Sequence, residues 1–291
     1  MSTSSAPLEI GRVALTVSDP GLVGGFYEKA LGLQPISMAG EVSTYGAGGK
    51  VLLELRADRA ARHWTKAEAG LFHTAFLMPS RDQLGRWLVH AAQTRVPLQG
   101  ASDHLVSEAI YLADPEGNGI EVYADRPRDA WPKDRDGNLR MATDPLDLND
   151  IARSASAAWT GAPDGMVVGH VHLQVGNVPE AEEFYAGTLG FDIVTHYPGA
   201  SFLGSGGYHH HLGANVWNSR GAGRRAFPST GLADLEILAD ADALARIATR
   251  TGATRTGATR TGAGRAGAGR TLSDPWGTPV TLTPKEKPVA H

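Results

Sequence analysis

Gly11-Arg12-Val13-Ala14-Leu15-Thr16-Val17 and Gly169-His170-Val171-His172-Leu173-Gln174-Val175 are two versions of one strand. Each alternates apolar and polar positions, the period of a half-buried strand. Each is followed at equal distance by Phe-Tyr (Phe26-Tyr27, Phe184-Tyr185) and then Leu-Gly (Leu31-Gly32, Leu189-Gly190), and all these landmarks lie 158 residues apart. Further on, Gly70-Leu71-Phe72-His73 answers Gly231-Leu232-Ala233-Asp234, and Asp114-Pro115-Glu116-Gly117 answers Asp274-Pro275-Trp276-Gly277. The chain is two imperfect copies of one design.

Each copy reads as two similar units. In the first, a strand over 10–18 meets Asp19-Pro20, an N-cap followed by proline at the first helical turn. A helix to Ala30 follows, and Gly32 supplies a left-handed stop. Strands at 42–47 and 51–56 are joined by Gly48-Gly49, and one further strand is poorly marked. The second unit has a strand from His73 to Met78, a helix from the Ser80 cap to Gln93, and strands at 109–113 and 119–124. Copy two gives strands at 170–176, 201–204, 211–217, 234–238 and 278–283, with helices at 179–188 and 240–249. The expected class is α+β, four βαβββ units paired into two curved sheets. The expected modules are 8–125 and 167–284, joined by a linker at 126–166 with a short helix near Asp147–Ala158. Such a connector is long for a compact fold. A low-complexity arginine–glycine repeat from Thr249 to Arg270 fits neither helix nor strand and reads as an expanded loop replacing part of the fourth unit.

Composition narrows the function classes. The chain has 291 residues, 42% of them hydrophobic and 20% charged, as in a soluble globular protein. A net charge of -4 argues against nucleic-acid and anionic-membrane partners, which need a basic face. There is no cysteine, which excludes disulfides, thiolate metal sites and cysteine nucleophiles. No signal peptide or membrane span is read, so a cytoplasmic location is expected.

Chemistry concentrates between His104 and Glu121. Tyr111 sits on a strand, Pro115 to Gly119 form a turn, and Glu121 lies on the returning strand between Ile120 and Val122. If those two face a core, Glu121 faces the other side of the sheet, where a carboxylate is costly unless paired or metal-bound. This run, His-x6-Tyr-x2-Asp-Pro-x-Gly-x3-Glu, resembles the signature of the extradiol ring-cleavage dioxygenases of the vicinal oxygen chelate superfamily, although Ser102 departs from it. The wider chain is similar to the two-domain catechol 2,3-dioxygenases of that superfamily, through Gly70-Leu71-Phe72-His73, Asp103-His104-Leu105-Val106-Ser107-Glu108-Ala109 and Gly207-Tyr208-His209-His210-His211.

The resemblance implies a metal held by two histidines and a glutamate from two paired units. His73 and Glu121 fit the second-unit positions. Copy one has Arg12 at the remaining position and copy two has His170 there. Neither copy completes the triad. The expectation is one site built from His73, Glu121 and His170 by swapped unit pairing, with a degenerate companion at Arg12, Asp234 and Thr281. The implied cofactor is Fe(II), with Mn(II) accepting the same donors. The implied substrates are a catechol and O2, and the product is a 2-hydroxymuconic semialdehyde. The resemblance puts the acid–base group in the histidine run; residues 209 and 211 would share one strand face and 210 the other, which leaves His210 or His211, with His210 favoured. His104 and Tyr111 would orient the catecholate. His172 is the rival to His170. His63 and Trp64 read as ordinary residues of a charged connecting segment.

Two other functions stay open. One is a glyoxalase-like isomerase or lyase, which usually wants four protein ligands. The other is a sequestration protein binding an aromatic ligand. Sheets of this kind often associate, so a homo-oligomer is a further expectation.

Overall fold

A computed structural model describes residues 6–252 and 270–286. The first unit comprises β1 (Leu8–Val17), α1 (Pro20–Leu31), β2 (Gln34–Ala39), β3 (Val42–Ala47) and β4 (Lys50–Ala57). The second comprises β5 (Gly70–Leu77), α2 (Arg81–Gln93), β6 (Leu98–Asp103), β7 (Ser107–Ala113) and β8 (Gly119–Asp125). The connector carries α3 (Leu148–Arg153). The third unit has β9 (Val167–Gln174), α4 (Val178–Glu182), β10 (Asp192–Tyr197), β11 (Ala200–Gly204) and β12 (Leu212–Asn215). The fourth has β13 (Gly231–Ala239), α5 (Ala241–Arg250), β14 (Arg270–Ser273) and β15 (Pro279–Pro284). Most of the arginine–glycine repeat, 253–269, lies outside the described residues.

The opening strand and helix of each unit follow one local plan. Asp19, Ser80, Asn177 and Asp240 each cap a helix by accepting a backbone N–H of its first turn, which satisfies one of the orphan donors there. Gly32 takes φ 67° and stops α1. In the third unit the helix expected over 179–188 changes character. Residues Glu183–Thr188 form a π-type stretch after α4. The poorly marked strand of the first unit is β2, exposed along almost all its length. With neither face buried it has no apolar alternation to read.

Sheet pairing crosses the two copies. One seven-stranded sheet runs β14-β15-β13-β1-β4-β3-β2, and one eight-stranded sheet runs β10-β11-β12-β9-β5-β8-β7-β6. Units one and four share the first sheet through the β1–β13 ladder. Units two and three share the second through β5–β9. Each sheet is therefore built from both copies. One large apolar core joins the sheets and helices, with Val13, Leu15, Phe76, Val171, Leu235 and Ile237 among its members.

The repeated Asp-Pro-x-Gly turn ties the sheets together. Asp114 accepts the backbone N–H groups of Glu116 and Asn118, and Asp274 those of Trp276 and Thr278. Tyr185 of the third unit donates its hydroxyl to Asp274 at 3.1 Å, while Tyr27 reaches Asp114 at 3.5 Å. Each pair joins units of different sheets. Burial, then the neighbouring carboxylate, raises both phenols well above the usual tyrosine value. Among the described residues no helix is long and apolar enough to cross a membrane.

Candidate metal centre

The eight-stranded sheet brings its central strands β9, β5 and β8 side by side. In the β5–β9 ladder His170 lies opposite Ala75, and in the β5–β8 ladder Ala75 lies beside Glu121. One row of the sheet therefore reads His170, Ala75, Glu121. The methyl side chain of Ala75 leaves the space between the two functional groups open. His73 is two residues from Ala75, so it shares that face, and His172 lies opposite it across the ladder. Ile120 and Val122, the neighbours of Glu121, enter the core, so the carboxylate takes the other face.

The three groups converge. His73 Nε2 lies 3.0 Å and His170 Nε2 3.3 Å from Glu121 Oε2. One candidate ligand atom from each residue falls within 4.8 Å of the others. All three residues are buried. Burial pushes the Glu121 carboxyl up, but the two adjacent imidazoles outweigh this and hold it well below the usual carboxylate range. Burial lowers His170 to about 4, which keeps the ring neutral at neutral pH. Two imidazoles and an anionic carboxylate, with Glu121 Oε1 lacking any hydrogen-bond partner, are a donor set suited to a divalent transition metal.

The other sheet shows what these positions become without metal ligands. Register places Arg12 where the eight-stranded sheet has His170, Asp234 for His73 and Thr281 for Glu121. Arg12 pairs with Asp234 at 2.9 Å and with Glu54 at 3.1 Å. Thr281 donates to Asp234 at 2.8 Å. This second site is a buried ion-pair network. Glu54 on β4 has its own counterpart in Gly213 of β12. Where Glu54 reaches Arg12, Gly213 supplies no side chain toward His170. A Cβ on Gly213 would meet the His172 ring at 2.7–2.9 Å. His172 fills the vacated place, packed against Phe72, Phe202 and Trp217.

A cavity of about 570 Å³ opens over the three donors. Phe72, Phe202 and Trp217 form an aromatic wall, and His104, Tyr111 and His210 also line it. His104 Nδ1 lies 2.7 Å from the Ala142 carbonyl and its Nε2 2.6 Å from the Tyr111 hydroxyl. A carbonyl only accepts, so Nδ1 carries the hydrogen, and in a singly protonated ring Nε2 then accepts from Tyr111. Leu105, at φ 68°, turns the chain sharply between β6 and β7 and so helps set His104. Burial, then the charge of Glu121, raises the Tyr111 phenol well above its ordinary value.

The histidine run departs from expectation. The strand expected over 211–217 is β12, Leu212–Asn215, so Tyr208, His209 and His210 lie in the loop before it, while His211 bonds through its backbone to Leu203 and Val171. Strand alternation does not govern residues 208–210. His210 lines the cavity, its ring 4.1 Å from that of His170. His211 does not line it. Its ring packs on Tyr208 and Phe191, and both its nitrogens are buried without partners. Trp64, read from sequence as an ordinary connecting residue, also lines the cavity and donates its indole N–H to the Glu116 carbonyl. Its position depends on contacts with Glu116 and Thr230, which sequence spacing does not show.

Known proteins give independent context. A family model, the Glyoxalase/Bleomycin resistance protein/Dioxygenase superfamily, matches residues 9–122 and 167–282. The chain is 39% identical over 237 residues to a Bacillus subtilis (strain 168) protein named catechol-2,3-dioxygenase, covering 80% of this chain and 83% of the relative. Among solved structures it resembles glyoxalase I from Zea mays, with TM-score 0.58 and 14% identity over 95% of this chain and 92% of that one. It also resembles the cppA protein from Streptococcus pneumoniae TIGR4, with TM-score 0.55 and 10% identity over 95% and 99%. These two likenesses show the fold. The chain belongs to the Glyoxalase/Bleomycin resistance protein/Dioxygenase superfamily.

Proposed function

We propose that this chain cleaves the ring of a catechol beside its diol, using Fe(II) and O2, to give a 2-hydroxymuconic semialdehyde-type product. The carrying observation is the buried cluster of His73, Glu121 and His170 beneath the cavity. The relative named catechol-2,3-dioxygenase supports the same reaction. The working module is units two and three, one from each copy. His73, Glu121 and His170 would hold the iron, and Mn(II) would suit the same donors. Bound there, the metal would supply Lewis acidity toward the diol and redox chemistry toward dioxygen.

The chain's own side chains do the rest. His210 accepts a proton from a catechol hydroxyl. Tyr111 already donates to His104, so its oxygen is free to accept from the substrate and orient it. Phe72, Phe202 and Trp217 exclude water from one side of the cavity and offer aromatic faces to the ring. The reading needs no macromolecular partner and fits a cytoplasmic enzyme.

The test is anaerobic loading with Fe(II), then catechol and air, following oxygen uptake and a yellow ring-opened product. The product should vanish in His73→Ala, Glu121→Ala and His170→Ala, each with loss of bound iron. Stoichiometric metal without product from catechol or substituted catechols would point to a lyase or isomerase. Absence of metal binding would leave a sequestration protein.

A further inference from the structure

One histidine of the run has no task in the function above. His209 is fully buried. Its Nε2 lies 2.9 Å from Asp125 Oδ1, and its Nδ1 lies 2.8 Å from His210 Nδ1. Tyr208 donates its hydroxyl to the same Asp125 oxygen at 3.1 Å. The Tyr208 hydroxyl is also 2.7 Å from that of Tyr123. Trp131, delivered by the connector, packs on the His209 ring with centroids 5.2 Å apart, and its indole N–H is tied to the Arg126 carbonyl. Asp125, His209 and His210 thus form one hydrogen-bonded chain. It begins in a second, polar cavity beside Arg81, Glu108 and Arg126 and ends in the cavity over the metal donors.

Donor and acceptor counting places the hydrogens. A carboxylate only accepts, so His209 Nε2 carries the hydrogen that reaches Asp125. A neutral ring protonated at Nε2 has only a lone pair at Nδ1. The hydrogen between the two Nδ1 atoms then belongs to His210, and the lone pair of His210 sits on Nε2. We propose that Asp125 and His209 are positioning residues that fix His210 in its Nδ1–H tautomer and so leave Nε2 as the acceptor for a substrate hydroxyl. The arrangement parallels catalytic dyads in which a buried carboxylate sets the tautomer of a base, extended here by one ring. The identity of the hydroxyl rests on the ring-cleavage function; the tautomer does not.

The tautomer is read by nitrogen-15 histidine NMR on the metal-free protein, with kinetics on the iron-loaded enzyme alongside. Wild type should show His210 with hydrogen on Nδ1. His209→Phe, which suits the aromatic surroundings, should abolish that pattern. Asp125→Asn, the milder change, should reduce it by letting an amide N–H face His209. In both variants kcat should fall about 10- to 100-fold, while KM and iron content stay within about twofold because neither residue lines the cavity or supplies a donor atom. A wild-type His210 protonated at Nε2, an unchanged tautomer in both variants, or an unchanged kcat in both would overturn the proposal. The NMR measurement uses neither metal nor substrate. A wild type that cleaves no catechol would count against the reaction, and the tautomer would still decide this inference.

Discussion

Replacing Gly213 by alanine adds one methyl group where His172 already stands. The new Cβ would lie 2.7 Å from Cδ2, 2.8 Å from Cγ and 2.9 Å from Nε2 of that ring. The ring cannot simply retreat. Its centroid is 5.0 Å from His73, 5.2 Å from Phe72, 5.3 Å from Trp217 and 5.6 Å from Phe202. Overpacking of this kind costs about 1–3 kcal/mol. At about 2–4 °C per kcal/mol, the scale for domains of 150–250 residues, Tm of Gly213→Ala should fall by roughly 2–12 °C. His172→Ala removes the obstructing ring, so the double variant should be more stable than the sum of the single effects by about 0.5–3 kcal/mol, the range for residues in contact. The assay is thermal and urea unfolding of the four metal-free proteins. Additivity within about 0.5 kcal/mol would refute the argument that the His172 ring fills the space over Gly213.

Ala75→Leu places a branched side chain between His170 and Glu121 and should abolish stoichiometric iron binding, measured by metal analysis, while the far-UV circular dichroism stays native. Arg12→Met leaves Glu54 and Asp234 with Arg56 as their remaining cation, at 2.7 and 3.7 Å. It should cost about 1–3 kcal/mol in urea unfolding and leave iron content unchanged. His211→Phe tests a pH effect with a definite sign. Burial holds the His211 pKa well below its ordinary value, so below about pH 6.5 the unfolded chain takes up a proton that the folded chain refuses, and stability falls with pH. The substitution should flatten that fall and stabilise the protein by about 1–3 kcal/mol at neutral pH, since both ring nitrogens lack partners. It should leave kcat unchanged; a large loss of kcat would restore His211 as the acid–base group.

Local physics made much of the fold legible. Asp19, Ser80, Asn177 and Asp240 announce helix starts because short polar side chains cap orphan N–H groups wherever they occur. The Asp114 and Asp274 turns are equally local. β2 was hard to see because it is exposed along almost all its length and carries no period. The π-type stretch after α4 escaped notice because it keeps a helical composition. At the site, the run from His104 to Glu121 carries a motif, and the shared offset of Arg12 and His170 exposes which copy holds the second histidine. The register of His209 and His210 was not legible, because a loop has no fixed alternation.

The sequence alone determined the duplication, the four units, and the residue types capable of holding a metal, because these depend on short-range pattern and donor chemistry. The split of donor types between the copies pointed to swapped unit pairing, but only the tertiary structure decided which strands meet and in what register. The ladders β5–β9 and β1–β13 join residues nearly a hundred or more positions apart, and no local signal encodes such a choice. That pairing sets His170 opposite Ala75 and beside Glu121, puts Gly213 under the His172 ring, and lets Asp125 reach His209. Each of these is a matter of a few ångströms across separate strands and loops, set by register and packing rather than by spacing along the chain.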